Sequence, residues 1–306
     1  QEGGAPGQRG QIAPRRVDLA ARAALSAAPP VKGMLLSALR ATHGRRRNAI
    51  VLIAVSAFFT SATAQNDCKK PLYLTFDTGH MEVAPLVAEV LKRQQVHVTF
   101  FAANERTKEG DGSLGDHWAP WWRARAAEGH EFASHTWNHT YWRADAGNAQ
   151  HPAFRVRPSA GPREGQSFVM SAAEYCEEIT HAADRLKAIT GKTPLPLFRA
   201  PGGKTSAQLI ASAKACGYAH VGWSPAGFLG DELPSETASN AVLLNKALRD
   251  VRSGDILLAH LGIWSRKDAW APAVLEPLIE GLKQRGFCFR TLRDHPDYAA
   301  AVVQVR

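Results

Sequence analysis

Apolar and polar positions along this chain fall into blocks that switch between two periods. Short β-rich apolar runs at residues 72–76, 96–101, 132–134, 195–199, 218–222, 256–259 and 287–290 read as strands. Between them, residues 83–93, 120–128, 171–189, 206–215, 238–251 and 273–285 carry helical periodicity. Local punctuation agrees. Pro120 falls in the first turn of a helix that Gly129 ends. Ser171 and Glu174 have the spacing of a capping box, and Gly191 stops the helix they open. Strand–helix alternation predicts an α/β fold with a parallel sheet and crossover helices. About seven strands suffice for a closed or nearly closed (β/α) barrel, whose chemistry belongs at the C-terminal strand ends.

Two connections are too long to be simple links, residues 104–119 and 141–170. The second holds Arg143, Arg155, Arg157 and Arg163 among several Gly and Pro, and reads as a solvated flap.

The N-terminal part has a different grammar. Met34 reads as a start, followed by Arg45-Arg46-Arg47, an apolar run over 49–59 and Ala62-Thr63-Ala64. Residues 34–64 therefore predict a signal peptide, cleaved after Ala64 to leave Gln65 first. An uncleaved anchor is the alternative. The run is shorter than the ~20 residues of a membrane span, so no stable span is expected after cleavage. Residues 1–33, rich in Ala, Gly, Pro and Arg, read as an upstream or disordered extension, and residues 65–306 as one domain.

Charge follows the same division. The whole chain is +9, but residues 1–64 hold 9 Lys and Arg against 2 acids, which leaves 28 against 26 beyond them. A near-neutral domain excludes a nucleic-acid partner as the first reading. Export makes disulfides permissible among Cys68, Cys176, Cys216 and Cys288, and all three pairings stay open. None lies in a C-x-x-C arrangement, so cysteine is not the expected metal ligand.

Candidate chemistry gathers at strand ends. His135 and His139 follow the third strand four residues apart, and converge on one face if the chain leaves in a helical turn. Two neutral imidazoles so placed suit a divalent metal such as zinc. Asp77 ends the first strand ahead of Gly79 and is placed to act as base or ligand. Arg199 ends the fourth strand ahead of Gly202 and Gly203, and could hold a carboxylate ionised. His260 ends an apolar strand.

In order, Thr75-Phe76-Asp77-Thr78-Gly79, the stretch 134–139, Phe198-Arg199-Ala200-Pro201-Gly202-Gly203 and the stretch 256–260 resemble the polysaccharide deacetylase family, the NodB-homology or carbohydrate esterase family 4 domain. The resemblance spans about residues 70–290. It implies a distorted (β/α) barrel, a divalent metal (usually zinc) and removal of N-acetyl groups from amino-sugar polymers. By position it implies Asp77 as general base, His135 and His139 as metal ligands, and Arg199 as the residue orienting the base. It implies Gly202 N–H as oxyanion donor, Leu258 as a wall of the acetyl pocket, His260 as general acid and Trp223 as a groove residue. The chain departs from the family where a second, metal-binding Asp is usual, because Thr78 stands there. Thr78, His80 and Glu82 are the candidates for a third ligand. Leu261 replaces the Asp that usually follows the last histidine, and Asp231 is the nearest match to the fourth motif, a candidate for tuning His260. The expected partner is a polysaccharide or peptidoglycan met outside the cytoplasm. A sugar-binding homologue weakened by Thr78, and an amidase or deformylase on a smaller C–N substrate, are the alternatives.

Overall fold

The computed structural model describes residues 68–303. The predicted extension, signal peptide and cleavage site lie outside the described residues.

β1 (Pro71–Asp77) is the hub of the sheet. It is followed by α1 (Ala84–Arg93), β2 (Thr99–Ala102), α2 (Ala119–Ala127) and β3 (Glu131–Ser134). An antiparallel insert comes next, of β4 (Thr140–Asp145), β5 (Ala153–Pro158) and β6 (Phe168–Ser171). Alternation then resumes with α3 (Ala172–Thr190), β7 (Leu197–Phe198), α4 (Ala207–Ala215) and β8 (Ala219–His220). The chain continues through α5 (Asn240–Asp250), β9 (Ile256–His260), α6 (Leu275–Gln284) and β10 (Cys288–Phe289).

The seven-stranded sheet is parallel throughout. β1 pairs with β2, β9 and β10, and beyond β2 lie β3, β7 and β8. After β8 the chain swings round to β9: Ser224 N–H donates to Ile256 O at 3.1 Å and Leu229 N–H to Leu258 O at 3.3 Å. The sheet therefore curls into the nearly closed, distorted barrel that the alternation predicts.

Strand parity sorts the core. Leu72, Leu74 and Phe76 of β1 face the helices, which offer Val87, Val90 and Leu91 from α1 and Leu275, Leu278, Ile279 and Leu282 from α6. Tyr73 faces inward with Phe101, Ala133, Leu197, Val221 and Ile256, filling the barrel floor. Thr75 and Asp77 share that inward parity, so the polar end of β1 sits above an apolar plug. The capping box forms at Ser171 and Glu174, and Gly191 ends α3 at φ 70°.

The stretch 141–170 is not a loop. β4, β5 and β6 form a three-stranded sheet whose inner residues Phe154 and Val156 pack with Tyr175, Ile179 and Phe198. The period-two pattern Phe154-Arg155-Val156-Arg157, with both arginines exposed, was the available signal. Stretch 104–119 does lack regular structure until α2 begins, yet it is pinned. Asn104 N–H donates to Trp137 O at 2.7 Å, and Leu114 N–H to Asn104 Oδ1 at 3.0 Å.

Of the three open pairings the structure holds Cys68–Cys288 and Cys176–Cys216. Two disulfides indicate an extracytoplasmic protein. No helix among the described residues is long and apolar enough to cross a membrane. Cys176–Cys216 ties α3 to the end of α4. Its removal by paired Cys→Ala changes should cost about 4 kcal/mol in urea denaturation, since it closes a loop with a sequence separation of 40. An unchanged midpoint would count against a stabilising role.

Candidate active site at the barrel mouth

β1, β3, β7 and β9 bring residues at or just past their C-terminal ends to one place. Asp77 is opposite His260 in the parallel register of β1 and β9, so both side chains share the inward face, as do Thr75 and Leu258. Arg199, just past β7, is fully buried and lies over the Phe101 ring at 4.1 Å. Its Nη1 donates to Asp77 Oδ1 at 2.6 Å and to Thr75 Oγ1 at 2.9 Å; Nε and Nη2 donate to the carbonyls of Val221 and Gly222. Burial alone would raise the Asp77 pKa, but the Arg199 charge and hydrogen bond outweigh it and hold the carboxyl below its usual range.

His135 and His139 converge, although not on a helical turn. Thr136 and His139 adopt positive φ of 65° and 49°. Thr136 Oγ1 accepts from Thr140 N–H at 2.8 Å, and Ser134 Oγ from Thr136 N–H at 3.2 Å. Glu178 of α3 completes the brace, accepting from Asn138 N–H, Asn138 Nδ2 and Thr140 Oγ1. The turn brings His139 Nε2 to 3.1 Å from His135 Nε2, and Asp77 Oδ2 lies 3.4 Å from the same His135 atom.

His135 Nδ1 must donate to the Arg199 carbonyl, 2.9 Å away, because a carbonyl only accepts. Burial pulls the His135 pKa down to about 4, against the pull of Asp77, so the ring is neutral at pH 7 and turns a lone pair toward His139. Two zinc–imidazole bonds at a tetrahedral angle span about 3.3 Å between nitrogens. The observed separation and the donor types therefore fit a divalent cation. Among the described residues, no three His, Cys, Asp or Glu side chains already surround a common metal position.

The candidates for a third ligand are committed elsewhere. Thr78 Oγ1 accepts from Ala103 N–H at 3.1 Å. His80 Nδ1 accepts from Glu82 N–H at 3.2 Å, with its ring edge-on to Trp264. Glu82 pairs with Lys108. Gly79 has a steric reason: a Cβ there would stand 2.0 Å from Gly262 O, so the turns after β1 and β9 meet backbone to backbone.

His260 Nδ1 lies 3.1 Å from Asp231 Oδ1, and its backbone N–H donates to Asp231 Oδ2 at 2.6 Å. Burial disfavours the charged ring, but Asp231, helped by Asp77 and Glu232, overrides it and pushes the pKa up to about 9. Gly202, at φ 64°, leaves room for the Tyr141 ring; Trp223 lies beside Gly203 and 5.7 Å from the Arg199 guanidinium. Two cavities, about 510 and 460 Å³, flank Trp264, one lined by His260 and Asp231, the other by His139, Glu105 and Tyr141. Trp264 is 56% exposed, whereas Trp122 and Trp270 are buried in the core. Sequence reasoning missed Glu105, Tyr141 and Ser159. Glu105 carried the one usable signal, an acidic residue just past a strand end.

A family model for polysaccharide deacetylases matches residues 64–221. The chain belongs to that family. It is 27% identical over 231 residues to a chitooligosaccharide deacetylase from Azorhizobium caulinodans, covering 72% of this chain and 92% of that one. It is 26% identical over 229 residues to a peptidoglycan-N-acetylglucosamine deacetylase from Bacillus cereus, covering 74% and 88%. Its fold matches a family 4 acetyl xylan esterase from Clostridium thermocellum solved with a cobalt ion, at TM-score 0.55 and 24% identity over 76% of this chain and 91% of that one.

Proposed function

We propose that this protein is a metal-dependent N-deacetylase acting on an amino-sugar polymer of the cell envelope, peptidoglycan or another N-acetylated polysaccharide, in the periplasm or outside the cell. The observation that carries this reading is the convergence of Asp77, paired with Arg199, on the two imidazoles, with His260 on the neighbouring strand. That convergence weighs against a homologue that only binds sugar, which has no use for a matched base and acid.

His135 and His139 would hold the ion, most suitably Zn2+. When bound, such an ion polarises the acyl carbonyl and makes water a better nucleophile near neutral pH. Asp77, kept ionised by Arg199, takes a proton from the attacking water. His260, protonated at neutral pH, gives a proton to the leaving nitrogen, and acetate and a free amine result. Gly202 N–H is assigned to the oxyanion, Leu258 to the wall beside the acetyl methyl, and Trp223 and Trp264 to the sugar groove.

The test is acetate release from chitooligosaccharide and from peptidoglycan by the zinc-supplemented protein. Release from either, suppressed by a chelator, is expected. No acetate from any N-acetylated glycan would sink the reading. Its pH profile is also fixed in sign. Rate should fall as pH rises through about 9, where His260 loses its proton. Asp231→Asn removes the carboxylate that holds this proton and should move the alkaline limb down by roughly one unit or more. An unmoved limb in that variant would remove His260 from the acid role.

A further inference from the structure

We infer that Glu105 supplies the metal-binding carboxylate that Thr78 cannot. The inference rests on the metal reading above.

Thr78 offers only a neutral hydroxyl, and that hydroxyl already accepts from Ala103 N–H at 3.1 Å. The same contact places position 78 against the segment that leaves β2 and leads two residues on to Glu105. That segment is held firmly. Asn104 N–H is bonded to Trp137 O within the imidazole turn, and Glu105 N–H donates to Ser113 Oγ at 2.9 Å. Ser113 Oγ in turn donates to Ala103 O at 2.6 Å. The backbone of Glu105 is thereby held beside His139, and Oε1 lies 3.7 Å from Nδ1, the ring nitrogen on the side away from the one that faces His135.

Glu105 Oε2 is buried and accepts no hydrogen bond from the protein, although the side chain as a whole is 18% exposed. A cation held by the two imidazoles would give that oxygen a partner. Charge balance points the same way. Asp77 is neutralised by Arg199, and Asp231 is engaged with His260, so neither brings a free negative charge to a dication between the two imidazoles. Glu105 does. A turn of its side chain away from His139 Nδ1 is the movement required, and Ser159 Oγ, 2.5 Å from that nitrogen, remains to hold the ring.

The test measures zinc affinity of the whole protein by competition with a chromophoric chelator, and the visible spectrum of the cobalt(II) form. Glu105→Gln should weaken zinc binding by more than about 100-fold, beyond what loss of an outer partner usually costs, and should change the cobalt spectrum. Thr78→Asp in the Glu105→Gln background should restore most of the affinity. Thermal melting of the metal-free forms verifies that the variants fold, and Glu105→Ala serves if the glutamine form does not. His135→Ala separates the two levels of failure. Unchanged affinity and spectrum in Glu105→Gln, with metal lost in His135→Ala, would overturn the Glu105 assignment alone. No zinc bound by the unaltered protein would overturn both it and the hydrolase reading.

Discussion

Asp77→Asn should reduce deacetylation roughly a thousandfold, the loss expected when a positioned general base becomes a neutral amide. The shape is conserved, so Arg199 can still donate to the amide oxygen, and the binding groove is untouched. The loss should therefore appear in kcat, with KM for the glycan little altered. Steady-state acetate release at saturating oligosaccharide decides it. A variant that turns over at the normal rate would show that the proton goes elsewhere, and Asp77 would be left as a structural partner of Arg199.

The second large effect is one of stability. Arg199→Met should destabilise the fold by about 3–5 kcal/mol, because it strands a buried carboxylate. Asp77 is 2% exposed, and Arg199 is its only cation within bonding distance among the described residues. The sign with pH is distinctive. In the intact protein the depressed Asp77 pKa contributes stability above the unfolded value near 4, lost as pH falls through the folded one. In the methionine variant burial is unopposed by Arg199 and raises that pKa. The deficit against the parent should then be greatest at neutral pH and shrink on acidification. Urea midpoints at several pH values test this; a deficit independent of pH would point to lost packing on Phe101 instead.

Much of this was readable in the sequence, for identifiable reasons. The central strands β1, β2 and β9 are short apolar runs buried on both faces, and α1, α3 and α6 each carry an apolar stripe. The motif-bearing residues Asp77, His135, His139, Arg199 and His260 sit at strand ends, where one topological rule brings them together. The misses have equally definite causes. β4 to β6 hide among Gly, Pro and Arg, and only the alternation in β5 betrayed them. The imidazole turn relies on positive φ at Thr136 and His139, which residue identity does not announce, so a helical turn was the natural expectation. Asp231 was matched only loosely from sequence, and its hold on His260 comes from a loop that passes alongside β9. Glu105 belongs to a long connection whose course is set by hydrogen bonds to Trp137 and Ser113, contacts that no local pattern encodes.

The contact of Gly79 with the Gly262 carbonyl has an evolutionary side. Where two backbones touch, drift is blocked: any side chain at position 79 would push apart the strands that bear Asp77 and His260. Trp264, two residues further along and open to solvent, has no such constraint. Descendants of this chain that acquire a taste for a different glycan should therefore do so by changing the rim beyond the latch, while the latch itself stays frozen.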